Sequence, residues 1–153
     1  MANYLKIGNG KVRYEGEFIC LTDMAKLQPG DNNTAIMLHN WLQLKGTILF
    51  LGVIEEELNE EFNLMGFHEI KNRLVEPSFG ISFKKFIEST NAKMVYSKPG
   101  RYGGTFAHEF IAIQFASWLS PKFHVRFLMS YKKLLAANQK SLRWALQKVA
   151  DNI

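Results

Sequence analysis

Cysteine is almost missing from this sequence. Its 153 residues include one, Cys20, so no internal disulfide can form. A reducing compartment is the expectation, with the cytoplasm as the default. No run of 18 apolar residues exists, which excludes a membrane-spanning helix. The opening residues MANYLKIGNGKV lack the apolar core of a signal peptide. Metal and catalytic signatures are lacking too. His39, His68, His108 and His124 have no cysteines at ligand spacing, so no metal site is expected. His108-Glu109 begins like HExxH, but Ala112 stands where the second histidine belongs. Gly103-Gly104-Thr105 lacks the Gly-Lys-Ser/Thr ending of a phosphate-binding loop. Cys20, beside Leu21, reads as a core residue rather than a nucleophile. The expectation is a chain with no catalytic residues and no cofactor.

Acidic residues are scarce in the second half. Residues 1–83 carry 7 Lys/Arg against 11 Asp/Glu, a balance of −4. Residues 84–150 carry 12 Lys/Arg against only Glu88 and Glu109, a balance of +10, and Asp151 brings the total to +5. So basic a segment can hold and steer a polyanion, although a solvated helix face has the same composition. What is abundant is apolar: 47% of the residues are hydrophobic and 13% aromatic, which argues for a packed core and against disorder. One domain is the prior for this length.

The organising stretch is 95–119, VYSKPGRYGGTFAHEFIAIQFASWL. It reads as a strand, a basic glycine-rich turn, a short strand and a helix. Pro99-Gly100 suits the centre of a type II turn, flanked by Lys98 and Arg101. Tyr102 follows, and Gly103-Gly104 remove two side chains where a ligand backbone can approach. Two cations, a ring and bare N–H groups at a hairpin tip suit a polyanion. An ordinary solvated loop uses the same residue types.

In chain order, 4–7 and 12–20 read as two strands joined by Gly8-Asn9-Gly10. LTDMAKL (21–27) is a short helix with Thr22 or Asp23 as candidate cap, and Asp31-Asn32-Asn33-Thr34 offers caps for a helix over 34–44. Gly46 interrupts, Thr47 is a candidate cap for a helix through Leu58, and Glu55-Glu56-Glu57 read as a solubilising face turned away from any nucleic acid. Helical pieces follow at 66–74 and at 83–89, the latter capped by Ser82. The 108–119 helix is apolar around much of its circumference and so mostly buried. His108, at its start, is a candidate donor to backbone or phosphate. Ser120-Pro121 begins a new helix. Leu128, Tyr131, Leu135, Asn138, Leu142, Ala145 and Val149 keep 3-4 spacing, so that helix is expected to run to the end as a coiled-coil seam. The alternative is a helix that packs on its own domain and then frays.

The order LTDMAK, NWLQLKGTILFLG and KKFIESTNAKMVYSKPGRYGGTFAHEFIAIQFASWLSPKF resembles the KilA-N domain, a family related to the fungal APSES domain. The likeness spans most of 4–135 and is most specific from Ser97 to Phe123. It implies a compact α+β domain over 1–135 with small hairpins, a helix-turn-helix-like unit and a β wing at 95–106. Residues 136–153 are then a C-terminal helix extension and coiled-coil start. It implies no catalytic activity, and it implies double-stranded DNA as partner, in a bacterial, phage or viral regulatory protein. The DNA-contacting residues by this likeness are Lys98, Arg101, Tyr102, Gly103, Gly104, Thr105 and His108 of the glycine-rich block. Gln43, Lys45 and Thr47, after Trp41, form the second element. A cytoplasmic location, nucleoid-associated in a bacterium, and a homodimer through the C-terminal helix accompany this reading. A protein-interaction module of antirepressor type on the same fold is its alternative.

Overall fold

The computed structural model describes residues 3–7, 9–30 and 33–153. Elements follow in the order β1 (Asn3–Ile7), β2 (Gly10–Glu15), β3 (Phe18–Cys20), α1 (Leu21–Lys26), α2 (Thr34–Leu42), α3 (Lys45–Leu58) and α4 (Leu64–Arg73). Then come α5 (Phe83–Thr90), β4 (Val95–Lys98), β5 (Gly104–His108), α6 (Glu109–Leu119), α7 (Pro121–Ala137) and α8 (Leu142–Asp151). The fold is α+β, and the chain divides into two units, residues 1–115 and 116–153. Among the described residues no helix is long and apolar enough to cross a membrane.

In the first unit the strands form one antiparallel sheet in the order β1-β2-β3-β5-β4. The run 12–20, expected as one strand, is two. The chain turns at Gly16-Glu17, and Glu15 pairs with Phe18. β3 then pairs with β5, matching Ile19 to Ala107, so the N-terminal hairpin lies directly beside the wing strands. The hairpin turn over Gly8-Asn9-Gly10 falls partly outside the described residues, at Gly8, as do the candidate caps Asp31 and Asn32.

Local capping explains several boundaries. Asn33 accepts from the Ala35 and Ile36 N–H groups at 2.9 and 3.4 Å, and Ser82 accepts from Lys85 N at 3.0 Å. Each satisfies a donor that the first helical turn leaves open. Thr22 and Asp23 do not cap α1, which starts at Leu21 with no side-chain cap. Thr47 does not cap α3 either, since that helix begins at Lys45 and Thr47 turns into the core. Apolar faces converge on Leu21, Trp41, Leu42, Ile48, Leu51, Phe86, Ile111 and Phe115, all essentially without solvent contact. Trp41 meets Phe115 edge-on with ring centroids 5.0 Å apart. Helix α6 contributes Ile111, Ala112 and Phe115 to this core but leaves Phe110 half exposed, so it is less enclosed than its composition suggests.

The acidic triplet is not one solubilising face. Glu56 and Glu57 are exposed, but Glu55 is buried. Its carboxylate accepts from the N–H groups of Lys93 and Met94, the nearest contacts being 2.5 and 2.7 Å. Burial pushes the Glu55 carboxyl up, against the opposing pull of those two N–H groups. The physical reason for its position is backbone accounting: the loop between α5 and β4 has donors that neither helix nor sheet takes up.

In the second unit, Ser120 caps α7 through Phe123 N at 3.1 Å, with Pro121 at the first helical position, as expected. The helix does not reach the end of the chain. It stops at Ala137, Gln139 adopts φ +59, and Lys140 N donates to Leu135 O at 2.8 Å, a left-handed C-terminal cap. Ser141 then caps α8 through Trp144 N at 3.1 Å. Asn138 therefore ends a helix instead of sitting inside a seam, and the 128–149 spacing is cut in two.

Replacing Glu55 by alanine leaves two loop N–H groups without their acceptor and is expected to lower stability by about 2–4 kcal/mol in urea denaturation. A loss under about 1 kcal/mol would mean that water satisfies Lys93 and Met94 equally well.

Candidate functional site

The wing is the hairpin β4–β5 with its connecting turn. Gly100 takes φ +95, as the proline–glycine pattern predicts, but the hydrogen-bonded turn is centred two residues later than Pro99-Gly100: Gly103 N donates to Gly100 O at 3.0 Å. Arg101 and Tyr102 thus occupy the two central positions of the closing turn. Tyr102 is 79% exposed, and the Arg101 guanidinium lies 5.7 Å from the centre of its ring. Among the described residues Arg101 has no acidic partner.

The two following glycines serve the protein's own chain. A Cβ on Gly103 would stand 2.1 Å from the Lys98 carbonyl oxygen, so the strands meet there only without a side chain. A Cβ on Gly104 would stand 3.1 Å from Cys20 Sγ, with φ at +147 as a further obstacle. The close approach anticipated for a ligand backbone is made instead by Lys98 and by the β3–α1 junction.

Beneath the turn lies a group that the sequence reading missed. Arg13, on β2, donates from Nε and Nη2 to the two carboxylate oxygens of Asp23 at 2.7 and 2.9 Å. The same guanidinium donates to the carbonyls of Tyr102 and Gly103 at 2.5 and 2.9 Å. The Arg13 backbone N–H completes the set, reaching Asp23 at 3.0 Å. Burial alone would raise the Asp23 carboxyl. The hydrogen bonds from the Arg13 side chain and backbone, with its charge, outweigh that and hold it below the usual range. Planar fork geometry suits one side chain to this; an ammonium has three N–H donors, too few for the two carboxylate oxygens and two carbonyls met here. No signal in the sequence marks Arg13, a single cation in a strand ten residues from its partner. Nη2 also lies 3.5 Å from Cys20 Sγ, and burial pushes that thiol up, in keeping with a core cysteine.

The other candidates divide clearly. Lys98 is tied to Glu15 by a short ion pair and lies 5.3 Å from the Phe106 ring centre, so it is engaged before any ligand arrives. The Lys98 hydrogen bond is the main reason that the Glu15 carboxyl falls below its ordinary value. Burial, then the Glu15 charge, pushes the Tyr96 phenol up to about 12. His108 is the last residue of β5 rather than a helix start. It is buried, with Nδ1 accepting from Phe110 N at 3.2 Å and Nε2 lying 3.3 Å from Glu17. Gln43 grips the Ile81 backbone in both directions, accepting at 2.8 Å and donating at 2.7 Å. Thr47 is buried, while Lys45 is exposed. The structure therefore leaves Arg101, Tyr102 and Lys45 presented to solvent, and makes Gln43, Gly103, Gly104, Thr47 and His108 part of the scaffold.

Thr105, at the wing base, donates its N–H to Thr22 Oγ1 at 3.0 Å. Both residues line a cavity of about 290 Å³ with Thr34, His39 and Ser82 over a floor of Leu38 and Leu42. The N-termini of α2 and α5 open on this groove, each with the partial positive charge of a helix start. Among the described residues no three His, Cys, Asp or Glu side chains gather at metal-binding distance.

An antiparallel sheet flanked by helices, carrying a wing clamped from below beside a groove of hydroxyls, defines an α+β domain of the winged type. The chain belongs to the KilA-N family: the KilA-N domain matches residues 6–136. Among curated proteins it is similar to Protein kilA of Escherichia phage P1, 38% identical over 80 residues. That alignment covers 46% of this chain and 30% of the phage protein. No solved structure gives a significant match.

The clamp has a pH signature. A carboxyl depressed in the folded state contributes its stability fully above its unfolded value of about 3.9 and loses it as pH falls through the folded one. Asp23→Asn is expected to lower stability by about 2 kcal/mol near neutral pH. The melting-temperature gap to the unmodified chain should close on acidification below about pH 4. A gap constant down to pH 2 would mean that Asp23 is not held as an ion by Arg13.

Proposed function

We propose that this chain is a non-enzymatic DNA-binding module of a bacterial, phage or viral regulatory protein. It contacts duplex DNA with the wing tip and, beside it, with the groove at the start of α2 and α5. The observation that carries this reading is the division of labour in the wing. Its backbone is anchored by Arg13 at two carbonyls, while Arg101 and Tyr102 are exposed against one another and, among the described residues, Arg101 has no acidic partner. A rigid hairpin bearing a free guanidinium and an exposed ring binds phosphate and base edges with little ordering cost. The charge of the second half supplies the long-range attraction, and family membership supports the partner class.

Two sets of residues take different parts. Arg101, Tyr102 and Lys45 are the contacts proper, with Thr105 and the groove hydroxyls as neutral donors to phosphate. Lys98 contributes less than its exposure suggests, because binding DNA through it requires giving up Glu15. Gly103, Gly104, Gln43, Thr47 and His108 serve by holding the surface. The runner-up is a protein-interaction module of antirepressor type, favoured by the exposed apolar side chains of α7.

Titration of the full chain against mixed-sequence duplex at several salt concentrations separates the two. Neutralising four or five phosphates gives a log–log slope of about −4. Arg101→Ala is expected to weaken binding about fivefold or more, and Lys98→Ala by less, both with little change in melting temperature. No binding at 50 mM salt would remove DNA and promote the protein-interaction reading.

A further inference from the structure

The acidic first half of the sequence contains a basic island. Residues 1–14 hold Lys6, Lys11 and Arg13 and no acid, whereas residues 15–83 carry 4 Lys/Arg against 11 Asp/Glu. Arg13 is committed to Asp23 and to the wing turn. Lys6 and Lys11 stand directly opposite one another in the β1–β2 register, and both are exposed. Among the described residues neither has an acidic partner. Lys11 lies 5.7 Å from the centre of the Tyr4 ring, which orients its ammonium without neutralising it. Like charges facing each other across a strand pair repel and weaken the pairing. A lysine on an edge strand also guards against edge-to-edge association, which accounts for Lys6 on β1 but not for Lys11 on the interior strand β2.

The register places this pair beside the wing. Across the sheet, Tyr14 pairs with Ile19, Ile19 with Ala107, and Ala107 with Val95. Three residues further along, where β3 has ended, the row reads Lys6, Lys11, Gly104, Lys98. The β1–β2 hairpin therefore closes at the same end of the sheet as the wing. Alternation puts Lys11 on the face of Arg13 and Lys98, whose cations both bear on the Phe106 ring. Glu15, the acid on that face of β2, stands at the far end of the strand and is held by Lys98. Three strand spacings, about 14 Å, separate the midline of one hairpin from that of the other. The major groove of B-DNA is about 12 Å wide, so a duplex that takes the wing tip has its backbone within reach of the neighbouring hairpin.

We propose that the β1–β2 hairpin is a second contact with the duplex, in which Lys6 and Lys11 receive the phosphate backbone flanking the groove that the wing engages. Standing beside the groove, the pair meets phosphodiester oxygens and not base edges. The hairpin thus contributes affinity and salt dependence without sequence preference, and bound phosphate relieves the Lys6–Lys11 repulsion. This contact rests on the reading of the wing as a DNA-binding element.

Titration of the full chain against two duplexes of unrelated sequence, at several salt concentrations, tests it. Lys6→Gln and Lys11→Gln are each expected to weaken binding about fivefold to tenfold near 100 mM salt, equally for both duplexes. Each should also make the log–log slope shallower by about one. Thermal melting should find neither variant less stable than the unmodified chain, because each removes one half of a repelling pair. Lys71→Gln, which removes the same charge from α4, should leave affinity nearly unchanged. An unaltered slope in Lys11→Gln, with Arg101→Ala still weakening binding, would overturn the hairpin contact and leave the wing contact standing. No binding by the unmodified chain at about 50 mM salt would overturn both. An equal loss in Lys71→Gln would overturn the hairpin contact too, since the effect would then be one of net charge alone. Should Lys6→Gln aggregate through its edge strand, Lys11→Gln, on an interior strand, still decides the matter.

Discussion

Arg13 and Asp23 are ten residues apart in the chain, and the geometry of the wing depends on their meeting. The carboxylate fixes the guanidinium in plane, and the guanidinium then has N–H groups left over in fixed directions. Those directions lead to the carbonyls of Tyr102 and Gly103. Pairing of β3 with β5 brings the N-terminal hairpin alongside, which makes the reach short enough. Glu55 does the corresponding job at the other end of the hairpin, holding the N–H groups of Lys93 and Met94 just before β4 begins. Two buried carboxylates therefore set the entry and the tip of one surface element. Both are acids in a molecule whose proposed ligand is itself acidic, and both are withdrawn from solvent, so neither charge faces the ligand unshielded.

Much of this architecture is legible in the residues, for identifiable reasons. Asn33, Ser82 and Ser120 announce helix starts because side-chain capping is a local transaction, complete within three or four residues. Gly100 announces its turn because positive φ excludes most other side chains. The glycine-rich block stands out for the same reason, but its purpose does not. Whether Gly103 and Gly104 make room for a ligand or for the chain itself depends on Lys98 and Cys20, which only the folded sheet brings near.

The misreadings share a cause. Arg13, Glu55, Gln43 and His108 all have roles defined by backbone groups elsewhere: Tyr102 and Gly103, Lys93 and Met94, Ile81, and Phe110. Periodicity and composition cannot see such partners. Glu55 looked like its neighbours Glu56 and Glu57 because a helix face is inferred from charge, and burial at one position of three is invisible to that inference. Likewise the 3-4 spacing continues past Asn138, a polar member of the series, yet the backbone at Gln139 turns left-handed and the helix stops.

Cys20 gives the molecule an unplanned property. The sole thiol of the chain lies under the wing base, 3.5 Å from the Arg13 guanidinium and against Gly104, with no exposed surface and a suppressed tendency to ionise. An alkylating reagent reaches it only when the hairpin lifts away from β3. Its reaction rate is thus a native clock for breathing of this corner, readable by mass without introducing a label. Anything that settles on the wing and holds it down will slow that clock.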